Sequence, residues 1–310
     1  MILSVSRRSD IPAFYTEWFF NRLKEGYLLV RNPINYHQLS RVTLTPDVID
    51  CIVFWTKNPS NILDKLDLLK DYNYYFQITI NPYDNQIERN VARKKHIIES
   101  FKKLSNLIGK KRTIWRYDPI ILTDKINIDY HRKYFAILAA KLKTYTERCI
   151  ISFVDMYKKT ERNMISLNAV TLQEKDILEL GKTLSLIASS YGLKIETCSE
   201  LVDLSYVGIG HAKCIDDKLI SDIIGENIDV QKDKNQRDVC GCVESIDIGA
   251  YNTCKHGCLY CYANYSDPTV NNNIIKHDPN SPMLIGNIES DDKITDRKML
   301  SYRNNQLTLL

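Results

Sequence analysis

No stretch of this sequence approaches the roughly 18 consecutive apolar residues that a membrane-spanning helix needs. The first residues, MILSVSRRSD, turn polar after five positions, so they do not form the apolar region of a secretory signal. These two absences imply no membrane and a cytoplasmic location. A charge excess is also missing, because 42 Lys and Arg face 38 Asp and Glu for a net +4. A balance this even describes a solvated surface, and it does not supply the concentrated basic face of a nucleic-acid binder. Internal repeats and low-complexity linkers are absent as well. What remains is a chain of 310 residues, 44% hydrophobic and 26% charged, enough for one α/β barrel or two modest domains.

Short apolar or β-branched runs recur at Ile2–Val5, Cys51–Trp55, Tyr74–Ile80, Thr113–Tyr117, Cys149–Val154 and Leu193–Thr197. Each is brief and apolar on both faces, as buried parallel strands are. Helical periodicity fills the gaps. One helix begins near Trp18–Leu23, a second carries Ile97, Phe101, Leu104 and Ile108, a third Tyr134, Leu138 and Leu142, and a fourth runs from Ile177 to Ile187. With a further strand at Ser245–Ala250, about seven strands alternate with helices. The fold class is therefore α/β, a partial or closed TIM-like (β/α) barrel. Residues 1–265 form this barrel, including a cysteine-rich region at 198–261. Residues 266–310, rich in turn chemistry such as His277-Asp278-Pro279-Asn280, form an extended tail packed on it.

The nine cysteines carry the chemistry. In a reducing compartment a local cysteine cluster reads as a metal or catalytic site before it reads as a disulfide framework. Cys254, Cys258 and Cys261 stand at C-x3-C-x2-C on a loop just after a strand. Closely spaced thiolates suit a polynuclear iron centre. Three of them leave one iron of a 4Fe–4S cube open for substrate chemistry. Gly257 lets the loop fold tightly. The alternative is a zinc knuckle with His256 or a distant cysteine as fourth ligand, although structural zinc favours paired C-x2-C half-sites. Cys198, Cys214, Cys240 and Cys242 lie in polar, loop-like surroundings, and together they suit a second Fe–S cluster or a zinc ion. Cys51 and Cys149 fall in apolar runs and read as core.

The segment CKHGCLYCYA resembles the signature of the radical S-adenosylmethionine superfamily, in the form of its spore photoproduct lyase-like branch. That resemblance implies a 4Fe–4S cluster on Cys254, Cys258 and Cys261. It implies S-adenosylmethionine chelated to the fourth iron, with Tyr260 near its adenine. It further implies an enzyme that cleaves this cofactor reductively to a 5′-deoxyadenosyl radical for hydrogen abstraction. In the superfamily the signature follows the first strand. Here it lies near the C-terminus, so the resemblance implies a circularly permuted barrel in which Ser245–Ala250 comes first. WTKNP at 55–59 resembles a turn of the same branch, and RYDPII at 116–121 a later strand end. The whole chain, through SVSRRSDIPAFY, VFWTKNP, QRDVCGCVESIDIGAYNTCKHGCLYCYAN and HDPNSPMLIG with DKITDRKMLSYRNNQL, resembles the DUF1848 proteins, a bacterial family of unknown function.

On that reading Lys57, Arg7, Arg8 and Arg116, all at strand ends, are candidate cofactor contacts. The plainer alternatives are salt bridges, a surface arginine pair, and a helix N-cap at Ser9 or Asp10 ahead of Pro12. Asn81 and Asp118 stand at similar ends. Glu196 and Glu200 flank Cys198 and suit a cationic group or a solvated loop. His256 is expected to hydrogen-bond beside the cluster, not to ligate it. No catalytic residue is singled out. The implied partners are S-adenosylmethionine, an electron donor such as a flavodoxin or ferredoxin, and a substrate that is a nucleic acid, a peptide or a small molecule. Two rivals stand beside this reading: a zinc-stabilised binding module, and a non-catalytic Fe–S redox sensor.

Overall fold

The computed structural model describes residues 1–155 and 158–303. In chain order the elements are β1 (Ile2–Val5), α1 (Ile11–Phe14), α2 (Thr16–Glu25), β2 (Tyr27–Arg31), β3 (Gln38–Thr43), β4 (Cys51–Thr56), β5 (Tyr74–Thr79), α3 (Lys94–Ile108), β6 (Thr113–Ile120) and α4 (Ile128–Leu142). They continue with β7 (Arg148–Phe153), α5 (Lys158–Ile165), α6 (Glu174–Ser190), β8 (Lys194–Thr197), β9 (Gly210–His211), α7 (Asp217–Ile224), β10 (Ile246–Asp247), α8 (Asp267–Ile275) and β11 (Lys293–Asp296).

Eight strands form one parallel sheet in the order β10-β1-β4-β5-β6-β7-β8-β9. Apart from β10 the order follows the chain. The strand just before the cysteine loop lies ahead of β1 and pairs with it, Leu3 opposite Ile246 and Ser4 opposite Asp247. The outer strands β10 and β9 do not pair with each other, so strand pairing leaves the sheet open. The expected α/β class is thus found, with a parallel sheet of eight strands in place of about seven.

Period-two alternation gives the sheet two different faces. Leu3, Val5, Phe54, Phe76, Ile78, Trp115, Tyr117 and Ile151 form one core with Trp18 and Phe19 of α2, Phe101 and Leu104 of α3, Phe135 of α4, and Leu180 and Leu184 of α6. Each such large apolar side chain, fully buried, contributes about 1.5–3 kcal/mol. The helices fit this face because their apolar residues recur at three- and four-residue steps. Ile97, Phe101, Leu104 and Ile108 of α3 are all buried. On the other face Ile2, Cys51, Val53, Tyr75, Ile114 and Ile150 meet Cys214, Ile215, Leu219, Ile220, Cys240, Cys242 and Val243. The segment between β9 and β10 therefore covers the face that the crossover helices leave bare. Cys51 and Cys149 are fully buried in the core, as their apolar runs imply.

A smaller sheet, β11-β3-β2, flanks this body. The segment from 266 onward is more structured than an extended tail. It carries α8, capped by Ser266, and β11 pairs with β3 from Lys293 opposite Gln38 to Asp296 opposite Arg41. Trp18 Nε1 donates to the Ser281 carbonyl (2.9 Å) and Arg22 to that of Asn280 (2.9 Å), anchoring it to α2. Residues 304–310 of that segment lie outside the described residues. Among the described residues, no helix is long and apolar enough to cross a membrane.

Candidate metal centres

The C-terminal ends of the parallel strands open onto one cavity of about 820 Å³. Parallel sheets gather their strand-end loops on one side, which is where α/β folds build sites. Seven of the nine cysteines line this cavity: Cys198, Cys214, Cys240, Cys242, Cys254, Cys258 and Cys261. The remaining two are the core pair, Cys51 and Cys149.

The loop of Cys254, Cys258 and Cys261 leaves β10 at Asp247. That carboxylate accepts hydrogen bonds from Ser4 Oγ (2.9 Å), Ser6 Oγ (2.7 Å), the Arg7 N–H (2.7 Å) and the Gly249 N–H (3.0 Å), so β10 and the β1 loop are locked side by side. Gly249 is required here, because a Cβ would overlap Ser6. Tyr15 donates its hydroxyl to the Thr253 carbonyl (2.6 Å). Inside the loop, Gly257 sits at φ +63, the left-handed region that glycine tolerates, against Asn90 and Arg89. The chain at 87–90 grips the loop from the other side. Leu259 N–H donates to Ile87 (3.0 Å), Asn90 N–H to His256 (2.9 Å), and Arg89 Nε to Gly257 (2.8 Å).

Two charged arrangements face these thiols. In the first, Asp10 joins three segments. Its Oδ1 caps α1 at Ala13 (3.0 Å), and its Oδ2 accepts from the Lys57 N–H (2.7 Å) and His256 Nε2 (2.8 Å). Asp10 is therefore the helix cap and the His256 partner at once. In the second, buried Glu88 accepts from Lys57 Nζ (2.8 Å), Lys94 and the Tyr260 hydroxyl. Burial alone would raise the Glu88 carboxyl, but Lys57 and Lys94 outweigh it and hold it down at about 2. Burial would lower Lys57, yet Glu88 and Cys258 leave it raised, so it stays charged beside the loop. Burial pushes the Cys258 thiol up to about 12 and Cys254 well above its ordinary range. A soft metal would replace those protons on binding.

The other four cysteines come from separate stretches. Cys198 follows β8, Cys214 follows β9, and Cys240 and Cys242 precede β10. Cys198 Sγ lies 3.0 Å from Cys214 Sγ. Cys214, Cys240 and Cys242 pack in one buried cluster that Cys198 adjoins, and Cys242 draws the Cys240 thiol down to about 6. Cys242 Sγ accepts from the Ile215 N–H (3.4 Å). Tyr75 (2.6 Å) and Gln77 (2.5 Å) donate to the Cys214 carbonyl. Among the described residues, no three Cys, His, Asp or Glu side chains are placed to hold a single metal ion.

The candidate cations part company in this setting. Lys57 and Tyr260 lie at the loop, the Lys57 ammonium 5.3 Å from the Tyr260 ring centre. Arg7 is committed to carboxylates, 3.7 Å from Asp233 and 3.9 Å from Asp247, and Arg8 lies over the Tyr251 ring at 5.3 Å. Arg116 belongs with the other set. Its Nη1 donates to Cys214 Sγ (2.9 Å) and Gln77 Oε1 (2.8 Å), its other nitrogens engage Asp118, and it stands 5.2 Å from the Trp55 ring. Asn81 orients Asp118, donating to its carbonyl (2.8 Å) and accepting from its N–H (2.9 Å). Glu196 pairs with Arg148 (2.8 Å) and Lys194 (2.9 Å) and does not line the cavity. Glu200 does line it, accepts from the Phe153 N–H (2.8 Å), and is raised to about 7 by burial.

Sequence reasoning passed over Glu88, Asp247, Trp55 and Gln77. Glu88 stands in a run of turn residues after β5, where nothing marks a carboxylate as buried. Asp247 carried a usable signal, a lone acid at the end of an apolar strand.

No curated protein matches this chain. A family model described as a domain of unknown function matches residues 2–263, a span that holds all seven cavity cysteines. The chain therefore belongs to the DUF1848 family.

Proposed function

We propose that this protein is a radical S-adenosylmethionine enzyme, with a 4Fe–4S cluster held by Cys254, Cys258 and Cys261. The observation that carries the reading is one loop presenting three thiols to a cavity at the strand ends, while His256 Nε2 is held by Asp10. The donor chemistry fits, since three soft ligands on one short loop match an iron cube with one corner left for a second molecule. When bound, such a cluster supplies the electron that breaks a carbon–sulfur bond of S-adenosylmethionine, giving methionine and a 5′-deoxyadenosyl radical.

The chain's own residues have defined parts in this reading. Lys57, fixed by Glu88, sets a positive charge beside Cys258 and offsets the negative charge that thiolates bring. Asp10 orients His256 and keeps the loop against α1 and β4. Tyr260, tied to Glu88 and edge-on to Tyr83 at 6.0 Å, forms a wall for an adenine. Trp55 Nε1 and Thr160 Oγ1 line the cavity, buried and without hydrogen-bond partners, and so offer sites to polar atoms of a bound molecule. The strand order, with β10 ahead of β1, supports a circularly permuted (β/α) barrel. The substrate class stays open among nucleic acid, peptide and small molecule. An electron donor of the flavodoxin or ferredoxin kind would reduce the cluster.

One observation favours a second reading. His256 Nδ1 is buried and has no partner, as a fourth ligand of a zinc knuckle would be before metal binding. Anaerobic reconstitution with iron and sulfide, followed by dithionite and S-adenosylmethionine, separates the two. The radical reading expects 5′-deoxyadenosine from the wild type and none from Cys258→Ala. Zinc in the purified protein with no such product would favour the knuckle, and product from Cys258→Ala would end the assignment.

A further inference from the structure

We infer that Cys198, Cys214, Cys240 and Cys242 form a second iron–sulfur site, closed by four protein thiolates and paired with Arg116. The inference does not rest on cleavage of S-adenosylmethionine, because none of these residues belongs to the loop of Cys254, Cys258 and Cys261. It rests on convergence. The four thiols come from the ends of β8 and β9 and from the stretch before β10, yet all four line one cavity and pack in one cluster, with Cys198 Sγ 3.0 Å from Cys214 Sγ and Cys242 Sγ accepting from the Ile215 N–H next to Cys214 (3.4 Å). Apolar packing buries these thiols, but it does not turn a guanidinium onto one of their sulfurs. The donor set is four thiols, which selects a soft metal. The C-x-C spacing of Cys240 and Cys242 departs from the C-x2-C half-sites of structural zinc.

Arg116 is the second, independent observation. It is 5% exposed and donates directly to Cys214 Sγ at 2.9 Å, with Gln77 fixing the same nitrogen and Asp118 the rest of the guanidinium. Thiolates gathered around a metal add up to a net negative charge, and a buried arginine hydrogen-bonded to one sulfur offsets it. Asp118 already offsets one charge on Arg116, so the guanidinium acts chiefly as a directional N–H donor to sulfur. Four thiolates occupy every corner of a 4Fe–4S cube. The site therefore offers no open iron to a substrate, and its chemistry is limited to gaining or losing one electron. Such a donor stabilises the reduced, more negative state, which makes Arg116 a positioning residue that raises the midpoint potential.

The test uses the full chain with Cys254, Cys258 and Cys261 all replaced by Ala, reconstituted anaerobically with iron and sulfide. About four irons per chain should remain, with brown absorption that dithionite bleaches by one electron. Arg116→Gln in that background should keep the iron and lower the midpoint potential by about 59 mV, a tenfold change in the one-electron equilibrium. Arg116→Lys, which keeps charge but not the fork, should recover part of the shift. A colourless or zinc-loaded triple variant with a native circular-dichroism spectrum would overturn the site. An unchanged potential in Arg116→Gln would overturn the role of Arg116. Should the triple variant fail to fold, the wild type against Cys214→Ala decides: a loss of about four irons per chain supports the second site, and an unchanged iron content excludes it.

Discussion

The two groups of cavity cysteines differ in how the chain builds them. Cys254, Cys258 and Cys261 occupy eight consecutive positions on one loop, so their nearness is written in the sequence. Cys198, Cys214, Cys240 and Cys242 come together only because β8, β9 and β10 deliver their ends to one cavity. Their surroundings differ as well. The loop is flanked by a buried carboxylate with two lysines and by an Asp–His pair, whereas sulfurs of the assembled set accept from Arg116 and from the Ile215 N–H. The loop has three thiols and the assembled set four, which on the proposed reading is the difference between an open and a closed cluster. A local motif can be placed on many scaffolds, but an assembled site exists only in a folded sheet.

Four changes would break or sharpen this contrast. The largest effect is expected from removing one thiol on each side. Cys258→Ala should abolish 5′-deoxyadenosine formation, while Cys214→Ala should lose about half the iron and keep the loop's centre; metal analysis and product assay together report this. Next, Glu88→Gln leaves Lys57 and Lys94 without their buried partner and should cost about 3 kcal/mol, read by urea unfolding. It should disturb Cys258 and spare the assembled set.

Acid should weaken both regions alike, through the sheet they share. His131 is fully buried, with Tyr117 O–H against Nδ1 (2.7 Å) and Nε2 against the Ile121 carbonyl (2.9 Å). Burial pushes it down to about 4 from its ordinary 6.5. Because its folded value is depressed, the stability it supports is full above 6.5 and is lost as pH falls toward 4. The loss should reach about 3 kcal/mol. Urea midpoints between pH 7 and 4 should show that slope in the wild type and a shallower one in His131→Gln. The smallest effect belongs to Gly257→Ala. It places a side chain at φ +63 and within 3.0 Å of Asn90, and should cost about 1–2 kcal/mol in thermal unfolding, with the assembled set untouched.

The parts of the fold legible in the sequence were those buried on both faces. β1, β4, β5, β6, β7 and β8 lie where apolar runs mark them, to within three residues at either end, since a central parallel strand has no polar face to blur the signal. The β2–β3 hairpin escaped notice because Arg31, Gln38, Ser40 and Arg41 dilute it, and the alternation that marks a half-exposed strand was the only cue. β9 is two residues long and leaves no pattern. At the site, the seven cysteines were singled out from spacing and loop context. Lys57 and Tyr260 do lie beside the loop. Arg116, grouped with them as one more strand-end cation, instead meets Cys214, because which way a strand-end side chain points depends on register that spacing alone does not give. Glu88 went unread because its burial is imposed by two lysines and a tyrosine from distant segments.

An open and a closed cluster respond differently to a second ligand. The most direct measurement is the electron paramagnetic resonance spectrum of the dithionite-reduced protein, recorded before and after adding S-adenosylmethionine. One signal should change shape, and it should be the one missing in Cys258→Ala, while the signal missing in Cys214→Ala stays as it was. A spectrum unmoved by S-adenosylmethionine, with both sites loaded with iron, would contradict an open iron at the loop.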